Sequence, residues 1–121
     1  MRQAANKTGA VGDQPLGELG RFAEPALYIL VSLSDGPKHG YAIMTDVESF
    51  SGAGMGPGTL YAVLARLERS GMVEPMPSQD RRRPYRITAA GATALGTRLA
   101  DLDQFVKVGR SRLRAPNRGQ T

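Results

Sequence analysis

Apolar residues recur along this chain with two different periods, and the change of period divides it into elements. The clearest stretch runs from Gly56 to Gly71, where Leu60, Val63, Leu64 and Leu67 fall at i, i+3, i+4 and i+7 and share one helical face. Pro57 is pre-set for a helix start, Thr59 is placed to cap it, and Gly71 supplies a stop, so the pattern predicts a helix from about Pro57 to Ser70. Upstream, Ala26, Leu27, Ile29, Leu30, Val31 and Leu33 crowd nearly all round a short helix, with Pro25 in its first turn and Gly36 just past its end. A helix apolar on so many sides is central to a small domain or shared with a second subunit. Asp35-Gly36-Pro37 makes a turn, and a second helix follows from about His39 to Phe50, with Ile43, Met44, Val47 and Phe50 facing inward.

After Gly71 the period shortens. Met72 to Met76 and Pro84 to Thr88 read as short strands, joined by the polar, arginine-laden loop from Pro77 to Arg83. Thr88 is then a plausible cap for a last helix over residues 89–109. There Ala92, Leu95, Leu99, Leu102 and Val106 alternate at spacings of three and four, and Phe105 widens the stripe. Gly91 and Gly96 should weaken that helix by roughly 1 kcal/mol each relative to alanine. Such a short seam is expected to pack on the first helix and on a second subunit together. Residues 1–17 are polar, glycine-rich and unpatterned, which predicts a flexible lead, and the chain settles near Phe22. Residues 110–121 read as a flexible basic tail.

The expected architecture is mainly α with a small two-stranded β wing: a winged helix-turn-helix over residues 18–88 followed by a C-terminal dimerisation helix. At 121 residues this is one domain, and 16 Lys and Arg against 11 Asp and Glu leave a net charge of +5. Distribution matters more than the total. Arg81, Arg82, Arg83 and Arg86 gather in one short segment, and Lys107, Arg110, Arg112, Arg114 and Arg118 crowd the end. Such clusters suit a polyanionic partner. Cysteine is absent, so thiolate metal sites and disulfides are excluded and a reducing cytoplasm is expected. No apolar run has membrane-spanning length, and no apolar leader follows Met1.

The face of the third helix opposite its leucines carries Thr59, Ala62, Ala65, Arg66 and Arg69, with Tyr61 on its flank. Small residues allow close approach and arginines favour an anion, the combination expected of a helix that enters the DNA major groove. Pro57, Gly58, Thr59, Tyr61, Ala62 and Arg66 are therefore candidate DNA contacts. Arg81, Arg82 and Arg83 in the loop between the strands suit phosphate or the minor groove. Lys38, His39 and Tyr41 stand at the start of the second helix, where free N–H groups and the dipole favour phosphate; the plainer alternatives are a core aromatic for Tyr41 and a solvated Lys38. The glycine-rich connection Ser51 to Gly58 is no nucleotide loop: Gly58, not lysine, precedes Thr59, and a helix rather than a strand comes before it. With one His, no Cys and no paired carboxylates in a motif, no catalytic or metal-binding constellation is expected, and no cofactor.

Leu27-Tyr28-Ile29-Leu30, Gly36-Pro37-Lys38-His39-Gly40-Tyr41-Ala42-Ile43, Gly58-Thr59-Leu60-Tyr61, the run Leu64 to Gly71 and the run Arg81 to Gly91 together resemble the PadR family of bacterial transcriptional regulators. The resemblance runs in order from about Phe22 to Leu95. It implies a winged helix-turn-helix bound to double-stranded DNA, a homodimer built through the C-terminal helix with help from the first, and repression of nearby genes from a pseudo-palindromic operator. Leu27, Leu30, Leu95, Leu99, Leu102, Phe105 and Val106 are the residues that would meet the second subunit. Some members bind phenolic acids or planar drugs at the dimer interface, which leaves room for a small-molecule effector; this chain has no Trp, from which some members build an aromatic sandwich for planar drugs. The competing reading is a winged helix retained as a protein–protein adaptor with only nonspecific DNA affinity. No membrane partner is expected.

Overall fold

The computed structural model describes residues 24–52, 54–78 and 81–115. The expected flexible lead, the settling of the chain at Phe22 and residues 116–121 of the expected tail lie outside them. Among the described residues the order is α1 Glu24–Leu33, α2 Gly40–Ser51, α3 Pro57–Arg69, β1 Val73–Pro75, β2 Tyr85–Ile87 and α4 Ala89–Arg114.

One cluster forms the core: Ile29, Leu30 and Leu33 of α1, Ile43 and Val47 of α2, Leu60, Val63, Leu64 and Leu67 of α3, Val73 of β1 and Leu95 of α4. The apolar stripe of α3 is thus buried whole, and α1 is the post against which α2, α3, α4 and β2 all pack. Full burial of each such side chain stabilises by roughly 1.5–3 kcal/mol. Gly36, at φ 146°, turns the chain between α1 and α2, and Gly71, at φ 77°, turns it out of α3, conformations that a side chain disfavours. At that second turn the Gly71 and Met72 amides donate to the carbonyls of Glu68 and Leu67 at 3.0 and 2.9 Å, closing the helix end.

The strands pair antiparallel, with Val73 opposite Ile87, Glu74 opposite Arg86 and Pro75 opposite Tyr85. Glu74 and Arg86 form an ion pair across the ladder. The other edge of β2 is also occupied, because Tyr85 pairs with Lys38 through N–H···O bonds of 2.9 and 3.1 Å. Thr88 caps α4 as its sequence suggests: its Oγ1 accepts from the Gly91 amide at 3.0 Å and donates to the Gly71 carbonyl at 2.6 Å.

Several expectations are corrected here. Thr59 does not cap α3; Gly56 occupies that position without a side-chain bond, and Thr59 lies inside the first turn. Phe50 is 46 % exposed at the end of α2, where its ring meets Tyr28 edge-on at 6.0 Å, rather than facing the core. Leu30 and Leu95 are buried in the core of their own chain and have little surface left for a second subunit. The last helix does not stop at Gly109 but continues to Arg114, taking in residues 110–114 of the expected tail. One glycine costs a helix only about 1 kcal/mol. Against it stand the Asp103–Lys107 pair at 3.0 Å one turn apart and Arg112 and Arg114 beside the negative end of the helix.

Gly91 also has a different meaning from the one its helix propensity gave it. A Cβ there would collide with the Met72 carbonyl and with Ile87, so glycine lets α4 lie directly on the turn after α3. Gly96 meets nothing. The two glycines should therefore respond oppositely. Gly91→Ala is expected to destabilise the fold by about 1–3 kcal/mol through overpacking, and Gly96→Ala to stabilise it by up to about 1 kcal/mol. Denaturant midpoints of the two variants check the opposite signs.

Candidate nucleic-acid interface

The starts of α2 and α3 and the end of the wing loop come together on one side of the core. The α2–α3 approach is close. An added Cβ at Gly40 would collide with the Tyr61 ring and press on Leu60, so only glycine lets the Tyr61 side chain lie across the first turn of α2. Pro84 and Tyr85 then bring the wing loop back beside them, through the Met76 amide bonded to the Pro84 carbonyl at 2.8 Å and the Tyr85–Lys38 pairing.

Between these segments lies a cleft of about 230 Å³, lined by His39, Gly40, Tyr41, Tyr61, Arg81, Arg82, Arg83 and Tyr85. Six candidate DNA contacts are thereby gathered at one place from three separated stretches of sequence. Tyr41 is 70 % and Tyr61 50 % exposed, which removes the alternative of a core aromatic at Tyr41. The arginines are exposed as well. Pro57, Gly58, Thr59, Ala62 and Arg66 do not line the cleft; they lie exposed on α3. Arg66 and Arg69 stand in the last turn of that helix, away from the cleft.

Lys38 is not brought to this surface. Its ammonium donates to the Ser32 carbonyl, pairs with Asp35 at 2.5 Å and lies 3.9 Å from Asp46. At 19 % exposure and bonded to protein oxygens, it is not the solvated cation that its position suggested. The Lys38 ammonium in turn holds the Asp35 carboxyl below the usual carboxylate range, by hydrogen bonding first and by charge second.

Tyr85 was not singled out from the sequence, where it reads only as one residue of an alternating strand. Its phenol is pushed above the ordinary tyrosine value by burial first, then by Glu68 and Tyr61, with Arg83 opposing. It therefore stays protonated at neutral pH and can donate a hydrogen bond. His39, the N-cap of α2, makes no capping bond, and its Nδ1 is buried without a partner. Two arginine-rich and aromatic edges around a helix start can hold phosphate oxygens by charge, by N–H and by O–H donors together. Among the described residues no group of three His, Asp or Glu side chains is placed to hold a metal ion, and no helix is long and apolar enough to cross a membrane.

Three packed helices, a strand-paired turn and a two-stranded wing folded beside the third helix make this a winged helix-turn-helix protein. The model of the transcriptional regulator PadR-like family matches residues 29–97, and the chain belongs to that family. It is a regulator by family and not an enzyme. A transcriptional regulator from Clostridium thermocellum superposes with a TM-score of 0.68 at 25 % identity, over 81 % of this chain and 97 % of that one. A PadR family transcription regulator from Clostridium difficile shares the fold, with a TM-score of 0.68 at 24 % identity, over 75 % of this chain and 99 % of its own. In sequence, an uncharacterised 37.1 kDa protein of transposon TN4556 in Streptomyces fradiae is 44 % identical over 75 residues, 62 % of this chain but only 22 % of that longer protein.

Proposed function

We propose that this protein is a sequence-specific DNA-binding repressor that acts in the cytoplasm as a homodimer on a pseudo-palindromic operator. The observation that carries the reading is the cleft, where the start of α2, the flank of α3 and the wing arginines share one exposed, cationic face. In this arrangement α3 enters the major groove, with Thr59 and Ala62 near base edges and Pro57 and Gly58 letting the backbone approach. Arg81, Arg82 and Arg83 hold the sugar–phosphate backbone or the adjacent minor groove, and His39 and Tyr41 meet phosphate at the start of α2. Arg66, further along α3, reaches a base edge or a neighbouring phosphate.

A second subunit is supported by what α4 leaves uncovered. Leu99 is 45 %, Phe105 74 %, Val106 42 % and Leu113 77 % exposed, and Leu102 is half-buried. Because the helix reaches Arg114, the apolar stripe reaches Leu113 as well. A domain of this size cannot cover that stripe alone, and α1, which packs on α4, carries the half-buried Leu27. Two copies about a two-fold axis would present two recognition helices to successive half-sites. Occupied in this way, the operator is closed to other proteins.

Two measurements check this reading. Replacing Leu99 and Leu102 by Asp is expected to convert the dimer into monomers with lost operator binding; a native protein that sediments as a monomer at micromolar concentration contradicts the second subunit. On the DNA side, a dimer that neutralises roughly 6–10 phosphates should lose on the order of a thousandfold in affinity between 50 and 200 mM salt. Arg81→Ala or Arg83→Ala should weaken operator and scrambled duplex in parallel and lower the salt slope by about one unit. Thr59→Ala should instead narrow the gap between the two, with about 1–3 kcal/mol at stake in a base-edge contact. Loss of discrimination by the wing variants alone, with Thr59→Ala keeping it, would assign sequence reading to the wing.

A further inference from the structure

Lys38 occupies a position at which the chain is held from four directions. Its backbone is the hydrogen-bonding neighbour of β2 on the edge that β1 leaves open, giving and receiving N–H···O bonds with Tyr85 at 3.1 and 2.9 Å. Its side chain, 19 % exposed, reaches back to the end of α1, where the ammonium donates to the Ser32 carbonyl. The same ammonium is bonded to Asp35 in the turn and faces Asp46 of α2 at 3.9 Å. One cation among two carboxylates leaves the cluster with a net negative charge, which repels a phosphate rather than attracting one. Two of the lysine's three N–H donors are bonded to protein oxygens, at Ser32 and Asp35, and the Asp46 carboxylate stands beyond hydrogen-bond distance at 3.9 Å. Two residues before Tyr85 stands Arg83, the last of the wing arginines in the cleft.

We infer that Lys38 is a positioning residue for the wing: its charged clamp onto α1, the turn and α2 holds the strand-like backbone at residue 38, and through Tyr85 that backbone holds Arg81, Arg82 and Arg83 against the DNA-facing side of α2 and α3. The inference rests on the DNA-binding reading, but it assigns Lys38 a task opposite to that of a phosphate ligand. The clamp joins the two parts of the winged helix that are furthest apart in sequence, and it does so from beneath the cleft rather than from within it.

The test is the Asp35→Asn variant of the full chain, which removes one anchor of the clamp. Asp35 is 80 % exposed and outside the core, so the fold survives. If Lys38 served phosphate, loss of a competing carboxylate would free the lysine and remove a negative charge, and binding to a mixed-sequence duplex would strengthen. A positioning clamp gives the opposite sign: binding weakens by up to about fivefold, the range that an exposed ion pair supports. That loss should vanish when Arg81, Arg82 and Arg83 are all already alanine, because the wing then has no arginine left to position. Lys38→Met should weaken binding further and by the same route. Amide hydrogen exchange reads the clamp without DNA, with faster exchange at Tyr85 expected in both variants and unchanged exchange at Ile43 and Leu64. Stronger or unchanged DNA binding by Asp35→Asn, equal losses with and without the wing arginines, or unaltered exchange at Tyr85 would each overturn the inference. Absence of DNA binding by the native chain would instead remove the proposed function, and the exchange measurement would still decide whether Lys38 holds the wing.

Discussion

The arrangement depends first on burial of one stripe, Leu60, Val63, Leu64 and Leu67, against the post of α1. Once those four side chains are inside, the rotation of α3 about its axis is settled. Thr59, Ala62 and Arg66 must then face away from the core, and Tyr61 must lie at the flank, against Gly40. The exposed face is therefore a consequence of hydrophobic packing, with no separate device needed to aim it. The wing follows from the same packing, because Gly71 turns the chain at the end of α3 and Gly91 allows α4 to lie on that turn. A hydrophobic constraint at the centre thus becomes a geometric constraint on charge at the surface.

That logic explains which parts of the molecule were legible beforehand. The 3.6-residue period of α3, the alternation of β2 and the Thr88 cap are local signals, and each corresponds to an observed element. The start of α2, Tyr61 on the flank of α3 and the wing arginines were each recognisable as candidate contacts, and the fold gathers them around one cleft, while Pro57, Gly58 and Thr59 lie outside it. What escaped notice depends on contacts between distant residues. The ammonium of Lys38 could be directed to solvent, to DNA or to Ser32 and Asp35, and no periodicity distinguishes these. Tyr85 gains its place at the cleft only because β2 folds back beside α2. Leu30 and Leu95 belong to apolar stripes, but a stripe does not reveal which of its members are covered by the chain itself.

Glycine gave the most misleading local signal. The last helix was expected to end at Gly109 and to be weakened at Gly91, yet the first lies within a continuous helix and the second is a contact point with Met72. Propensity measures the cost of glycine in isolation. At Gly91 the gain is close approach between α4 and the turn, and at Gly109 the cost is borne by favourable neighbours along the helix. The longer helix enlarges the uncovered apolar stripe, and with it the case for a second subunit.

The central claim is that the cationic face reads sequence, and in two copies. Selection of bound duplexes from a random DNA pool by the purified protein tests both halves together. The account predicts enrichment of a pseudo-palindrome whose half-sites lie about one helical turn apart, as two recognition helices related by a two-fold axis require. Retention of DNA with no enriched motif would contradict it and favour a winged helix that serves as a protein adaptor.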